Sequence, residues 1–226
     1  MYLNFIIAII GAYLIGSIPF GLIIAKAHGK DLRSIGSGNI GATNVSRALG
    51  SQWGYACFVL DVLKGFIPML SAMPFATPLS IQTQSEKTIL LILWLAVGCA
   101  AILGHIFPVY IKFKGGKGVA TSFGIALGLW PYYTICALFA ILIWLAIVLS
   151  LRYVSLASII ASVSFPFALI VMIIVRTNWY FSLLWPLFIP AVAIPVLVII
   201  RHQENIKRLL NGTENKIHQK KNRTNE

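Results

Sequence analysis

Two polar segments interrupt an otherwise apolar chain, and both contain residues suited to holding a phosphate group. The first polar segment, residues 31–47, combines three glycines with Ser37, Asn39 and Arg47. Glycines let the backbone adopt left-handed conformations and approach a ligand closely, while the Ser, Asn and Arg side chains offer hydrogen-bond donors. This composition predicts an anion-binding loop.

The second polar segment, residues 104–121, contains His105 and the run Gly115-Gly116-Lys117-Gly118. It does not match the P-loop pattern GxxxxGK[ST], and no strand precedes it. The same physics is nevertheless available, because flexible backbone donors surround a lysine that can act as a point charge on phosphate.

Two other interpretations of the first polar segment remain open. Gly36-x-Gly38-x-x-Gly41 satisfies the dinucleotide-binding pattern formally, but that pattern has meaning only between a strand and a helix of a βαβ unit. A hydrophobic run precedes it here. The segment could also be an ordinary loop, since Gly, Ser and Asn are common turn residues.

Two shorter polar patches follow later in the chain. Ser155 and Ser158 are spaced to share one helical face, which alone is weak evidence because serines are ordinary in membrane helices. Near the C-terminus, a helical continuation of the last apolar run would present one polar face. That face would contain Arg201, Glu204, Asn205 and Arg208.

The composition excludes most soluble classes of protein. The 226 residues are 58% hydrophobic and 11% charged, with a mean hydropathy of +0.86 and a net charge of +12. Soluble domains contain about 25% charged residues. We therefore expect an all-α, polytopic integral membrane bundle formed by residues 1–214, followed by a basic and disordered tail at 215–226.

The apolar runs predict about seven membrane spans. They are expected at 2–25, 53–73, 87–107, a hairpin of one short and one full span within 119–151 that turns at Pro131, a sixth span ending at 175, and a seventh at 179–200. Fifteen of the 18 Lys and Arg residues then lie on one side. The positive-inside rule places that side, with both polar segments and the C-terminus, in the cytoplasm and the N-terminus outside.

Several apolar runs contain residues that need a special environment. Asp61 and Lys64 are three residues apart in the second span, so we expect them to pair away from lipid, in a structural or a functional role. Trp130, Tyr132 and Tyr133 are expected in an aromatic belt at the membrane interface. Pro186, Pro190 and Pro195 should kink the seventh span. Cys57, Cys99 and Cys136 lack the spacing of a disulfide framework or a metal site.

Together, the polar motifs resemble those of the bacterial acyl-phosphate-dependent glycerol-3-phosphate acyltransferases. The similar motifs are Ser37-Gly38-Asn39-Ile40-Gly41-Ala42-Thr43-Asn44 with Arg47, Gly104-His105-x-Phe107-Pro108 with Phe113-x-Gly115-Gly116-Lys117-Gly118-Val119-Ala120-Thr121, and Arg201-His202-x-x-Asn205-Ile206-x-Arg208-Leu209. Asp61-x-x-Lys64-Gly65 and Arg152-Tyr153-Val154-Ser155 also resemble features of the family. Gly212-Thr213-Glu214 departs from an expected Gly-Glu pair and leaves the role of Glu214 open.

The resemblance implies transfer of a fatty acyl group from acyl phosphate to the 1-hydroxyl of glycerol 3-phosphate, giving lysophosphatidic acid and phosphate. It implies a multi-pass protein of the bacterial inner membrane, with a cytoplasmic active site and neither a metal nor an organic cofactor. The implied partners are the two substrates, membrane lipids and an enzyme that produces acyl phosphate. Nucleic acid is not expected, because the Lys and Arg residues fall in short segments between apolar runs.

The resemblance also assigns site residues. The acyl phosphate would bind Ser37, Gly38, Asn39, Lys117 and Asn205, and glycerol 3-phosphate would bind Arg47, Ser155, Ser158 and His202. Ser37, Lys117, His105 and Asn205 are the candidate catalytic residues. The soluble-type acyltransferase signature, in which Asp stands five positions after His, is absent. The residue five positions after His105 is Tyr110. We therefore expect phosphate oxygens of the donor to accept the hydroxyl proton, with His105 either as the alternative base or as a structural histidine that caps the loop.

Two rival functions predict other features. A transporter or exchanger of an organic phosphate would need polar groups near the bilayer midplane, broken helices and usually an inverted repeat. A metal-dependent phosphatidyl-alcohol transferase would need several carboxylates on adjacent helical turns. The sequence contains only six Asp and Glu residues in total, and they are not clustered in this way.

Overall fold

Helices form the whole of the regular structure in the part of the chain that the computed structural model describes, residues 2–77 and 83–217. The α-helices are α1 (Tyr2–Gly16), α2 (Phe20–Ala27), α3 (Ala42–Leu49), α4 (Ser51–Ala76), α5 (Gln84–Ile106), α6 (Val119–Gly128), α7 (Thr134–Leu151), α8 (Val154–Val175), α9 (Phe181–Leu184), α10 (Phe188–Arg201) and α11 (Gln203–Leu210). Short 3-10 turns lie at Val109–Ile111 and Trp185–Leu187.

Six of these stretches are long and apolar enough to cross a bilayer, which confirms the all-helical membrane architecture. They are Tyr2–Ala27, Ser51–Ala76, Gln84–Ile111, Thr134–Leu151, Val154–Val175 and Phe181–Arg201. The shorter apolar helix α6 stands where the sequence predicts a short span. The count of seven spans and the orientation of the two termini stay predictions.

The predicted hairpin at Pro131 is present, with α6 and α7 as its arms. The last carbonyl groups of a helix have no partner within the helix, and lipid offers them no hydrogen bond. The turn of the hairpin supplies one. The Thr134 hydroxyl donates to the carbonyl of Leu127 at 3.1 Å and to that of Ala126 at 3.4 Å. The first residue of α7 therefore hydrogen-bonds two backbone carbonyls in the last turn of α6.

The aromatic residues of this turn have three different environments. Trp130 is exposed, as expected for an interfacial residue, and Tyr132 is half-buried. Tyr133, by contrast, is buried, and its hydroxyl donates to the carbonyl of Leu187. Its ring packs edge-on against Phe165 with centroids 5.0 Å apart. The prediction of an interfacial Tyr133 is wrong, because the ring fills the contact between the hairpin and the last spans.

The first span is broken between α1 and α2, at the residues before Pro19. Proline cannot donate a backbone hydrogen bond, so a break of this kind leaves carbonyl groups free inside the protein. The Lys64 ammonium donates to the carbonyl of Ile18 at 3.0 Å and forms an ion pair with Asp61 at 2.9 Å. The predicted pairing of Asp61 with Lys64 is confirmed, and the pair also satisfies the broken helix.

The last span also departs from one continuous helix. A 3-10 turn containing Pro186 separates α9 from α10, as the prolines predict, whereas Pro195 lies inside α10. The predicted helical continuation is interrupted at His202, which has a non-helical backbone between α10 and α11. This break turns Asn205 into the protein, while Glu204 stays exposed and pairs with Lys207.

Glycines set the closest helix crossings. The helix α4 packs against α6, and α1 packs against α5. A Cβ atom on Gly124 would overlap the carbonyl oxygen of Val62, and one on Gly65 would overlap that of Thr121. Such backbone approach is typical of membrane helix interfaces, where small residues allow close van der Waals packing.

Parts of two predicted segments lie outside the described residues. The stretch between the second and third predicted spans, which the Pro, Ser, Thr and Gln content of residues 74–85 indicates to be an external loop, includes residues 78–82, and the predicted disordered tail includes 218–226. On either side of the first gap, α4 extends to Ala76 and α5 begins at Gln84, where the Thr83 hydroxyl accepts a hydrogen bond from the Glu86 amide.

The glycine crossing of α4 and α6 leads to a stability prediction. Gly124→Ala should lower the free energy of unfolding by about 1–3 kcal/mol, because the added methyl group forces two backbones apart. The measurement is thermal unfolding in detergent, followed by tryptophan fluorescence. Gly11→Ala is the matched control, since nothing lies within 4 Å of a Cβ atom at Gly11. An equal change in the free energy of unfolding for both substitutions would contradict the idea that the close α4–α6 contact at Gly124 stabilises the fold.

Candidate active site

The first polar segment folds around Asn44, a buried residue in the first turn of α3. The Asn44 amide donates to the carbonyls of Leu32 and Ile35 at 3.0 and 2.9 Å, and its side-chain oxygen accepts from the Ser37 amide at 3.1 Å. Gly36 has a φ of 59°, and a Cβ there would overlap the Asn44 side-chain oxygen. Asn44 therefore sets the shape of the loop that contains Ser37.

Ser37, Gly38 and Asn39 line a surface cleft of about 380 Å³. The cleft is lined by Arg33, Ser37, Gly38, Asn39, Ile40, Phe113, Lys114, Gly115 and Arg201. Three cations and a small hydroxyl residue therefore share this opening with two apolar side chains. The structure thus brings the two polar segments together, with Arg201 of α10 between them.

The second polar segment folds back on the end of α5. The amides of Gly115 and Gly116 donate to the carbonyls of Ile106 and His105, at 3.2 and 3.1 Å. The carbonyls of the same two glycines accept from Arg201, whose guanidinium donates to Gly115 at 3.1 Å and to Gly116 at 3.2 Å. Lys117 follows directly after this fixed pair of glycines.

His105 lies buried behind Gly116, so close that a Cβ on Gly116 would overlap the His105 Nε2 atom. Its Nδ1 atom has no hydrogen-bond partner among the described residues and lies 3.7 Å from Asp61 Oδ1. The sequence offers no obvious acidic partner for a histidine, and the structure supplies Asp61 in that place. His105 thus contacts the back of the glycine run and the buried Asp61–Lys64 pair.

A single carboxylate, that of Glu214, organises the polar groups on the other side of Lys117. Glu214 Oε1 accepts from Asn205 at 2.7 Å and from Ser155 at 2.8 Å, and Oε2 accepts from Arg208 at 2.7 Å. Asn205 in turn accepts a hydrogen bond from the Lys117 ammonium. Glu214 therefore links α8, α11 and the second polar segment.

Gly212 makes this arrangement possible. Its φ of 69° reverses the chain after α11, so that Glu214 returns to the helix it has just left. The amides of Thr213 and Glu214 donate to the Arg208 carbonyl at 2.8 and 3.1 Å. The departure from the expected Gly-Glu pair therefore does not keep the carboxylate out of the site.

Positive charge exceeds negative charge in this cluster. Burial lowers the pKa of Lys117 to about 8, and the Glu214 carboxylate opposes this shift. Positive charges that lower it further belong to Arg208, Arg47 and Arg201. Burial also lowers the pKa of Arg47. Partial burial acts to raise the pKa of Glu214, but hydrogen bonds from Asn205, Arg208 and Ser155 outweigh it and keep this pKa below its usual value. The cluster is built to receive an anion.

His202 and Ser158 occupy the adjoining wall. Burial, together with the charge of Lys117, lowers the pKa of His202 to about 4, so the ring is neutral near pH 7. Its Nδ1 lies 2.7 Å from the Val198 carbonyl, which can only accept, so Nδ1 carries the proton and Nε2 is free to accept. Ser158 accepts a hydrogen bond from the Trp144 indole at 3.2 Å.

The structure therefore brings Lys117, Asn205 and Ser155 into one network and sets the Ser37 cleft beside it, sharing Arg201. Sequence reasoning did not assign site roles to five residues that build this region: Asn44, Trp144, Arg201, Arg208 and Glu214. Arg201 and Arg208 lie on the polar face that the helical spacing of residues 201–208 predicts. No sequence pattern predicts the contact of Glu214 with Ser155, or that of Trp144 with Ser158. Within the described residues, no group of three or more His, Cys, Asp or Glu side chains could hold a metal ion.

The fold and the site together define a helical integral membrane protein with a cationic, partly buried site at one end of its bundle. A family model described as Glycerol-3-phosphate acyltransferase matches residues 6–212. The chain belongs to the glycerol-3-phosphate acyltransferase family, which confirms the resemblance drawn from the motifs. It is thus a membrane acyltransferase of the kind that serves phospholipid biosynthesis.

Known proteins are similar over nearly the whole chain. The glycerol-3-phosphate acyltransferase of Aquifex aeolicus is 46% identical over 92% of this chain and 96% of its own, and that of Geotalea daltonii is 44% identical over 93% and 96%. The crystal structure of PlsY (YgiH), an integral membrane glycerol 3-phosphate acyltransferase, in its glycerol 3-phosphate form is 44% identical with a TM-score of 0.78, covering 94% of this chain and 95% of that one. Its lysophosphatidic acid form gives a TM-score of 0.75 at 43% identity over the same shares.

The charge balance around Lys117 predicts a measurable shift. The Glu214 carboxylate raises the pKa of Lys117, so Glu214→Gln should move that pKa from about 8 to a lower value. The lysine amines would be labelled by reductive methylation with isotope-labelled methyl groups, and their NMR signals followed against pH. The signal that disappears in Lys117→Arg belongs to Lys117. Glu204→Gln removes the same charge from an exposed pair and should leave the Lys117 pKa unchanged. A Lys117 pKa that stays or rises in Glu214→Gln would refute the assigned network.

Proposed function

We propose that the protein transfers a fatty acyl group from acyl phosphate to the 1-hydroxyl of glycerol 3-phosphate, giving lysophosphatidic acid and inorganic phosphate. The observation that carries the proposal is the cluster of Arg47, Lys117, Arg201 and Arg208 around the one carboxylate of Glu214. Both substrates bring phosphate into the site, and an excess of buried cations stabilises such groups. Membership in the family supports the same reaction.

The two phosphate-bearing substrates would occupy adjoining parts of this region. The acyl phosphate is assigned to Ser37, Gly38 and Asn39 in the cleft, with Lys117 and Asn205 beside it. A cleft with cations at one side and Ile40 and Phe113 at another suits a ligand that has both a phosphate and an acyl chain. Arg201, which lines the cleft and contacts the glycine run, supports the same phosphate.

Glycerol 3-phosphate is assigned to Arg47, Ser155, Ser158 and His202. Arg47 supplies the charge for its phosphate. The Ser155 and Ser158 hydroxyls and the free His202 Nε2 suit its hydroxyl groups, since each can accept a hydrogen bond. In this arrangement Lys117 lies between the two substrates, because it bonds Asn205 and lowers the pKa of His202.

The chemical step requires a proton acceptor, stabilisation of the carbonyl oxygen and a neutralised leaving group. We infer that the donor's own phosphate oxygens accept the proton, while Lys117 and Asn205 stabilise the charge on the departing phosphate. His202, with a pKa of about 4, is a weak base near pH 7 and better suited to orienting the hydroxyl. His105 supports the glycine run from behind, since it is buried against Gly116 and Asp61.

The site is proposed to face the cytoplasm across the bacterial inner membrane. Both polar segments and the helix α11 belong to the side that the distribution of Lys and Arg predicts to be cytoplasmic. Water-soluble glycerol 3-phosphate would reach the site from that side, and the acyl chain would arrive through the bilayer. An enzyme that produces acyl phosphate in the same membrane is the partner that could deliver the donor.

The reaction is tested with purified protein in lipid, supplied with palmitoyl phosphate with and without glycerol 3-phosphate and without added metal. Phosphate release that depends on glycerol 3-phosphate and yields lysophosphatidic acid is expected. Lys117→Ala should lose about 10²–10³-fold in turnover, as when one charge-stabilising donor is removed. Lys207→Ala, which changes an exposed lysine, is the control. Absence of release, with labelled glycerol 3-phosphate accumulating inside proteoliposomes, would instead identify a transporter of an organic phosphate.

The source of the proton acceptor is tested by pH–rate profiles of the parent, His105→Ala and His202→Ala. If the donor accepts the proton, both variants lower the rate without removing a limb of the profile, because neither imidazole titrates in the reaction. His202→Ala should mainly raise the KM for glycerol 3-phosphate. Loss of one limb in a single variant would assign that histidine as the base and overturn substrate assistance.

A further inference from the structure

A second cavity, of about 410 Å³, lies beside the first polar segment and has no place in the reaction described above. Three cations, Lys26, Lys30 and Arg33, line it together with one carboxylate, Asp31. The Asp31 carboxylate is already engaged, since its Oδ1 accepts from the Arg33 amide at 3.0 Å. With three cations against one carboxylate, the lining of the cavity has a net positive charge.

The cavity is lined by the end of the first candidate membrane span and by the residues that follow it. The helix α2, which completes the first span, ends at Ala27, and the Lys30 amide donates back to the Ala25 carbonyl at 2.9 Å. Just beyond α2, the His28 ring packs against Trp53 with centroids 4.2 Å apart. Trp53 lies in the first turn of α4 and is partly exposed, as is typical of tryptophans at the boundary between lipid and water.

We propose that this cavity binds the headgroup of one anionic phospholipid. Lys26 and Lys30 would hold the phosphate, because basic pockets at the ends of membrane helices suit lipid phosphates. The half-buried Leu22 forms the apolar part of the lining on which the first methylenes of the lipid can rest. A free phosphate would use only the cations, whereas a lipid uses both parts.

Arg33 connects this lipid site to the active site. It lines both cavities, and its guanidinium donates to the Lys114 carbonyl in the second polar segment at 3.4 Å. A bound lipid would therefore lie next to the cleft assigned to the acyl phosphate. The binding itself does not rest on the proposed reaction.

The test is native mass spectrometry of the full chain, titrated with phosphatidylglycerol or with zwitterionic phosphatidylcholine of the same acyl chains. The parent should retain one phosphatidylglycerol more tightly than phosphatidylcholine. Each removed charge should weaken binding about fivefold, so Lys26→Gln with Lys30→Gln should lose about 25-fold. Lys26→Arg with Lys30→Arg keeps the charge and should bind as the parent does. Lys112→Gln with Lys207→Gln, which removes two charges elsewhere on the same face, should also bind as the parent does.

Three outcomes would overturn the proposal. One is equal retention of the two lipids by the parent, and another is equal loss in the two charge-removing double variants. The third is complete displacement of phosphatidylglycerol by millimolar inorganic phosphate, which would make the cavity a site for a free anion.

Discussion

The Glu214 carboxylate is the interaction on which the site depends. The positive charges of Arg47 and Arg208 lower the pKa of Lys117, and without a counter-charge the repulsion among these cations would favour an open arrangement. A carboxylate that accepts from Ser155, Asn205 and Arg208 is held too firmly to act as a mobile counter-ion. It balances only part of the positive charge, and the remainder is left for a ligand. The position of the chain after α11 is thus set by an electrostatic requirement of the site.

The buried pair Asp61–Lys64 meets a similar requirement inside the membrane. Each partner is expensive to bury alone, and together they still need further polar contacts. Lys64 finds one in the carbonyl of Ile18 at the break between α1 and α2, and Asp61 Oδ2 accepts a weak hydrogen bond from the Cys57 thiol at 3.8 Å. The backbone carbonyl of Asp61 accepts from Thr121 of α6 at 3.0 Å. Asp61 also faces His105, and His105 packs against Gly116. The Asp61–Lys64 pair therefore contacts three helices and, through His105, supports the loop that contains Lys117.

The sequence allowed most of the helices to be predicted, because apolar length and breaks at proline and glycine are local properties. It also selected Lys117, Asn205 and Ser155, whose residue types and motifs indicate phosphate chemistry. It could not place Glu214, since the contact with Ser155 joins residues 59 positions apart and depends on a chain reversal at Gly212. Tyr133 was misplaced for a related reason: an aromatic residue beside a proline resembles a membrane-interface residue until the neighbouring spans are known.

The short helix α6 has one further consequence. Its ten residues span about 15 Å at 1.5 Å per residue, half of the ~30 Å hydrocarbon layer. The Thr134 hydroxyl satisfies its far end without water, and Ile125, Leu129 and Tyr133 close that end within the apolar core. Charged groups of the second polar segment at the N-terminus of α6 are thus separated from the far end of that helix by about 15 Å of apolar helix. An apolar layer of that thickness is a barrier to ions, because burying a charge in it without a partner is costly.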